Sequence, residues 1–254
     1  MQTDGSAGRT ALVTGGERGI GRAIVEGLAA DGFAVVVLDI LGDLAREAAA
    51  DVEATGGQAL AVEADVADTR SVHAAVDAAE ARFGHLDVLV NNAGWDDMMP
   101  FVDTDEAFWD RVIEINFKGP LRLTHRVLPG MLERRYGRIV NVASDAGRVG
   151  SWHESVYSGA KGGLIAFTKT IARESARHGV SANCVCPGPV ETPMVERLIA
   201  ERGDCIMSAM VRAVPMKRIG QPQDIAAAVR LFASEGAGYI TGQTLSVSGG
   251  LTMA

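Results

Sequence analysis

The stretch Thr14-Gly15-Gly16-Glu17-Arg18-Gly19-Ile20-Gly21 joins the apolar run Thr10–Thr14 to a segment, Gly19–Ala30, that carries Ile20, Ile24 and Leu28 at one-turn spacing. A buried strand passing through clustered glycines into an amphipathic helix predicts a tight turn with an open helix start. Such a turn lets the backbone approach a pyrophosphate, and the helix N-terminus offers N–H donors and the positive end of a dipole. The spacing is Gly-x-x-x-Gly-x-Gly, so taken alone the turn reads equally well as a purely structural feature. The strand before it and the helix after it favour the nucleotide reading. Gly15, Glu17, Arg18, Gly19, Ile20 and Gly21 are the expected contacts.

Outward from that turn, short apolar runs alternate with helical stretches to the end of the chain. Thr10–Thr14, Ala34–Asp39, Gln58–Ala64, Leu86–Asn91, Arg138–Ala143, Ser181–Cys186 and Thr244–Val247 are rich in Val, Leu, Ile and Ala, as parallel strands covered on both faces are. Helices are predicted over Gly19–Ala30, Thr69–Phe83, Asp105–Arg135, Val156–Arg177 and Pro222–Ser234. Strict alternation implies right-handed crossovers and a doubly wound α/β sheet with helices on both faces, in one domain over residues 1–254. Pro187–Pro215 holds four prolines and little periodicity. It is expected to form a lid over a cleft.

Composition narrows the class. Thirty glycines against thirteen aromatic side chains fit many tight turns around an aliphatic core. The longest apolar run, Phe33–Leu38, is far short of the ~18 residues that cross a bilayer, so no membrane partner is expected. The polar stretch Met1–Arg9 predicts no signal peptide. Lys and Arg total 24 against 32 acidic residues, a net charge of −8 that argues against a nucleic-acid partner. Cys184, Cys186 and Cys205 are odd in number and are expected reduced, in a cytoplasmic protein. The five histidines lack ligand spacing, so no metal site is expected.

Asp39 closes the second strand, where a carboxylate accepts hydrogen bonds from an adenosine ribose diol and repels a 2′-phosphate. That favours NAD over NADP. Arg18 argues the other way, since a guanidinium pairs with a 2′-phosphate, but Ile40 rather than a base follows Asp39. A solvated strand-end aspartate is the plainer alternative.

Tyr157 and Lys161 stand at i and i+4 of a predicted helix, on one face. A phenol is a poor base at neutral pH, and a nearby cation stabilises its phenolate, which suits acid/base work between hydroxyl and carbonyl. Ser144 follows the fifth strand, at the sheet end where ligands bind. An ordinary helix surface and a turn serine are the alternatives for these positions.

Thr14–Gly21, Asn91-Asn92-Ala93-Gly94, Asn116, Ser144, Tyr157-x-x-x-Lys161 and Pro187-Gly188 together resemble the short-chain dehydrogenase/reductase family over essentially the whole chain. The resemblance implies a Rossmann-type sheet of about seven parallel strands and a nicotinamide cofactor. It gives Tyr157 the acid/base role and Ser144 the orientation of the reacting oxygen. Lys161 would lower the Tyr157 pKa and bind the nicotinamide ribose, and Asn116 would support a proton relay behind it. Asn92, Ala93 and Gly94 would line the adenosine side, Asp65 and Val66 the adenine, and Pro187, Gly188, Val190 and Thr192 the nicotinamide end. A homotetramer built on the two longest helices is also implied.

Asn91-Asn92-Ala93-Gly94-Trp95-Asp96, Leu128–Arg135, Ala143-Ser144-Asp145-Ala146 and Val247–Met253 further resemble the branch holding 3-oxoacyl-carrier-protein reductases and 2-hydroxycyclohexanecarboxyl-CoA dehydrogenases. The implied substrate is a β-hydroxyacyl thioester or its ketone. Trp95, Ser144, Trp152 and Tyr157 are the expected substrate contacts, Trp152 being either a gauge of pocket width or an exposed loop aromatic. A carbonyl reductase of bulky or aryl ketones and a non-catalytic nucleotide sensor are the competing readings.

Overall fold

The computed structural model describes residues 8–193, 195 and 205–253. Much of the expected lid, and the polar start of the chain, lie outside the described residues. Strands β1 (Thr10–Thr14), β2 (Ala34–Asp39), β3 (Ala59–Glu63), β4 (Val88–Asn91), β5 (Gly137–Val142), β6 (Val180–Pro187) and β7 (Thr244–Val247) form one sheet. The order is β3-β2-β1-β4-β5-β6-β7, and every pairing is parallel. All seven expected strands are present, three with the expected bounds and four with ends displaced by one or two residues.

Register explains why the strands read as continuous apolar runs. Leu12 lies beside Val36 and Leu89, and Leu89 beside Ile139. All four belong to the core on one face of the sheet. Their chain neighbours Val13, Val37, Val90 and Val140 form the parallel row on the other face. With both faces buried, each alternation lands in a core, and each fully buried Leu, Val or Ile contributes about 1.5–3 kcal/mol.

One face is covered by α1 (Gly19–Ala30), α2 (Gly42–Ala54) and α9 (Pro222–Ala233), the other by α3 (Thr69–Phe83), α5 (Gly119–Arg134) and α7 (Ser155–Ser175). Helix α1 packs on α9: Ile24, Val25 and Leu28 share a core with Ile225, Val229 and Phe232. Arg230 pairs with Asp31 just beyond α1, donating from Nε at 2.7 Å. Helix α2 was not expected. Its buried stripe is Ala45, Ala48, Ala49 and Val52, small side chains whose helical period is correct but whose apolar signal is faint.

The helix expected over Asp105–Arg135 is instead α4 (Glu106–Ile113), a π-helical segment Glu114–Lys118, and α5. Pro120 has no N–H for the carbonyl four residues back, and Asn116 donates from Nδ2 to the Val112 carbonyl at 2.9 Å, so the regular ladder is broken there. Helix α6 (Ala146–Val149) links β5 to α7, and α8 (Cys205–Ala213) occupies the end of the expected lid. The basic cluster near the end of α5 serves the backbone: Arg134 donates to the Leu86 carbonyl, Arg135 to Arg177, and buried Arg138 to Gly137, Gly179 and Ser234. Among the described residues no helix is long and apolar enough to cross a membrane.

Candidate active site

The sheet order reverses between β1 and β4, and outside their carboxyl ends lies a cleft of about 870 Å³. Every residue expected at the cofactor, from Gly15 to Thr192, lines this cleft. The glycine turn is built for close approach. Gly15 and Gly19 hold φ of +63° and +53°, and a Cβ on Gly21 would collide with the Gly15 carbonyl oxygen. Asn92 donates from Nδ2 to the carbonyls of Thr14 and Gly15, both at 3.0 Å, while its own N–H and that of Ala93 bond to the Thr14 hydroxyl at 2.9 Å. Helix α1 starts at Arg18 with no side-chain cap and no acid in its first turn. Its free N–H groups face the cleft through Gly19, Ile20 and Gly21, which fits a pyrophosphate.

At the adenosine end, Asp39 is buried on the cleft wall and accepts from the Leu41 N–H at 3.0 Å. Burial pushes its pKa up, while N–H groups of Leu41, Glu17 and Ile40 and the Arg18 guanidinium oppose the rise. Arg18 pairs through Nε with Glu17 at 2.8 Å, so its charge is already engaged. The Glu17 Oε2 is buried with no hydrogen-bond partner among the described residues, and burial likewise raises that carboxyl. Two carboxylates thus converge where a ribose diol fits and a further phosphate is repelled. Asp65 anchors its own turn by accepting from the Ala67 N–H at 2.8 Å, and Val66 packs against Gly119.

At the other end, Ser144 and Tyr157 are hydrogen-bonded to each other. The Ser144 oxygen also accepts from the Ala146 N–H at 3.1 Å, which fixes the hydroxyl. The Tyr157 phenol is pushed above the usual tyrosine value, first by burial and then by the charges of Glu154 and Asp96, with Ser144 opposing. It is therefore held protonated. Lys161, 3% exposed, donates to the Val142 carbonyl at 3.0 Å, and its Nζ stands 5.5 Å from the centre of the Tyr157 ring. Lys161 is not among the groups that set this shift: burial and the two acids raise the phenol, and Ser144 is the group that opposes them. Burial draws the Lys161 ammonium itself down to about 8.

Asn116 does not line the cleft. It is fully buried in the π-helical segment and clasps the loop after β4, donating to the Trp95 carbonyl at 2.6 Å and accepting from the Trp95 N–H at 3.3 Å. Its Oδ1 and the Lys161 Nζ flank Gly94, where a Cβ would lie 2.9 Å from one and 3.5 Å from the other. Trp95 lines the cleft, braced by the Arg111 guanidinium 3.9 Å above its ring. Trp152 does not: it is 75% exposed and stacks on His153, outside the cleft wall.

Sequence reasoning looked for specificity in Trp95–Met99 and Gly150–Glu154 without singling out the acids there, and it did not single out Asp145 or Gly147. Asp96, buried, and Glu154, half-buried, line the substrate end, although Trp95-Asp96-Asp97 was an acidic pair directly after a motif of the site. Asp145 carries the Ser246 hydroxyl, which also accepts from Arg148 at 2.6 Å, tying the Ser144 turn to β7. Gly147 lets α6 lie on α7, since a Cβ there would meet the Lys161 backbone at 2.6 Å.

Comparison with known proteins gives a consistent result. A family model described as Enoyl-(Acyl carrier protein) reductase matches residues 15–252. The chain is 41% identical over 247 residues to the 3-oxoacyl-[acyl-carrier-protein] reductase of Synechocystis, covering 96% of this chain and 97% of that protein. It is 40% identical over 248 residues to the Escherichia coli K12 enzyme of the same name, covering 97% and 98%. The crystal structure of a single-substitution variant of actinorhodin polyketide ketoreductase with NADPH superposes with a TM-score of 0.92 at 36% identity, covering 96% of this chain and 97% of that one. The chain belongs to the short-chain dehydrogenase/reductase family, as an oxidoreductase built around a nicotinamide cofactor.

Proposed function

We propose that this enzyme interconverts a secondary alcohol and a ketone with NAD(H), on a β-hydroxyacyl thioester such as a 2-hydroxycycloalkanecarboxyl-CoA. The observation that carries the reading is the hydrogen-bonded Ser144–Tyr157 pair in the cleft, with the Lys161 Nζ beside the Tyr157 ring. Ser144, fixed by the Ala146 N–H, holds the substrate oxygen, and Tyr157 in its protonated form gives that oxygen a proton during reduction. A bound nicotinamide supplies the hydride in reduction and takes it in oxidation. Lys161, with its pKa drawn to about 8, stands ready to stabilise and reprotonate the phenolate near neutral pH.

The thioester reading is supported by relatives that are 3-oxoacyl-carrier-protein reductases. The NAD reading is supported by Asp39 and Glu17 at the adenosine end and by the engagement of Arg18 with Glu17. The ketoreductase neighbour was solved with NADPH, so the two cofactors must be compared directly. Absorbance assays of β-ketoacyl thioesters, cyclic β-hydroxyacyl-CoA thioesters and simple ketones, each with NAD(H) and NADP(H), test both halves. Turnover confined to bulky or aryl ketones would replace the thioester with the carbonyl-reductase reading, for which the Trp95 wall provides the apolar surface.

Cofactor and substrate would share one domain, with the region 187–215 as lid. The protein is read as cytoplasmic and homotetrameric, a state that sedimentation velocity would establish. Exposed Tyr239, Leu245 and Met253 near β7 and the chain end support an interface there.

A further inference from the structure

Asp96 is 4% exposed, lines the substrate end of the cleft, and its Oδ2 has no hydrogen-bond partner among the described residues. The wall that carries it is rigid. Trp95 on one side is clasped by Asn116 through both backbone groups, and the Met99 N–H bonds to the His153 carbonyl at 3.1 Å, joining this loop to the one that bears Glu154. An unpartnered carboxyl oxygen on a fixed wall is costly unless something satisfies it, and the open side is the cleft. Its charge is felt at both Tyr157 and Lys161, so it stands within reach of the reacting group.

We propose that Asp96 is the specificity-determining residue that donates a hydrogen bond to a second carbonyl oxygen on the substrate, the thioester oxygen β to the reacting ketone. This rests on the thioester reading above and extends it to a recognition element. A 1,3-dicarbonyl places its second oxygen two carbons from the reacting centre, as a donor beside the Tyr157–Ser144 pair requires. Donation needs the neutral acid. Burial, with the charges of Glu154 and Asp97, raises the Asp96 carboxyl to about 7, against Lys161 and the Asp97 N–H. Tyr157 on α7 is the other titratable group it faces, and Arg111 on α4 is engaged over Trp95. At and below neutral pH a large share of Asp96 is therefore the donor; above it the carboxylate repels the carbonyl oxygen.

The test compares the acetoacetyl thioester of N-acetylcysteamine with the thioether in which CH2 replaces the thioester carbonyl, by kcat/KM with NADH from pH 6 to 9. Wild type should prefer the thioester, with the preference falling above pH 7. Asp96→Ala should lower thioester kcat/KM by about tenfold or more and leave the thioether within about twofold. Asp96→Asn, which keeps an N–H donor, should retain the preference and flatten its pH dependence. Equal losses on both substrates, no loss on either, or an Asn variant that behaves like Ala would overturn the role of Asp96. A wild type indifferent to the thioester carbonyl would instead overturn the substrate reading itself. Should the Ala variant fail to fold, the Asn profile alone decides.

Discussion

Asn92 donates from its side-chain amide to the Gly15 carbonyl at 3.0 Å, so the loop after β4 holds the glycine turn after β1 from across the switch point. The same amide reaches the Thr14 carbonyl. Asn92→Ala leaves two acceptors unpaired and the turn unbraced, a cost of about 1–3 kcal/mol. NADH affinity, read by fluorescence titration, should fall about tenfold. Unchanged affinity would show that the turn keeps its shape without this brace.

Tyr157→Phe removes the proton donor and keeps the ring. Turnover should fall by about 10²-fold or more, while NADH binds within a few-fold of wild type. Near-normal turnover would remove Tyr157 from the chemistry.

Asp39→Ser takes one of two acids from the adenosine end and leaves Glu17 paired with Arg18. The ratio of kcat/KM for NADPH over NADH should rise by about tenfold or more. A wild type that already works equally well with NADPH would contradict the assigned preference.

The Asp96 carboxyl is raised from 3.8 to about 7, so the folded state binds its proton more tightly than the unfolded chain does. Its contribution to stability is fully present below pH 4 and is lost as pH rises through 7. Asp96→Asn, which cannot ionise, should therefore gain stability relative to wild type at pH 8 and not at pH 4. The full linkage of such a shift is about 4 kcal/mol, so a gain approaching that size, read as a rise in Tm, is expected at pH 8. An equal shift in Tm at both pH values would falsify the assigned ionisation.

Trp152→Ala should leave relative kcat/KM across a ketone panel within about twofold, because the ring lies outside the cleft wall. A reordered substrate preference would bring the loop into the pocket.

The parts of the molecule that follow from periodicity were legible before the structure. Seven aliphatic runs, the glycine turn and Tyr157-x-x-x-Lys161 fall where the sheet and cleft need them. Helix α2 escaped because alanine fills its buried stripe, and alanine scarcely separates core from surface. The interruption at Glu114–Lys118 escaped because it depends on where one Asn116 side chain goes, which spacing does not reveal. The loops that hold Asp96 and Glu154 were expected at the pocket, but the two acids themselves were not singled out, for a related reason. An acid in a loop reads as solvated until the fold buries it, and here two loops from distant parts of the chain close over each other.

The contact of α1 with α9, fastened by Arg230 and Asp31, has a consequence for biosynthesis. The apolar stripe of Ile24, Val25 and Leu28 emerges from the ribosome well before its complement, Ile225, Val229 and Phe232. Until α9 has been made, the nucleotide-cradling βα unit therefore carries an uncovered greasy flank, a natural target for holdase chaperones. Chains truncated before Pro222 should stay protease-sensitive however intact their glycine turn.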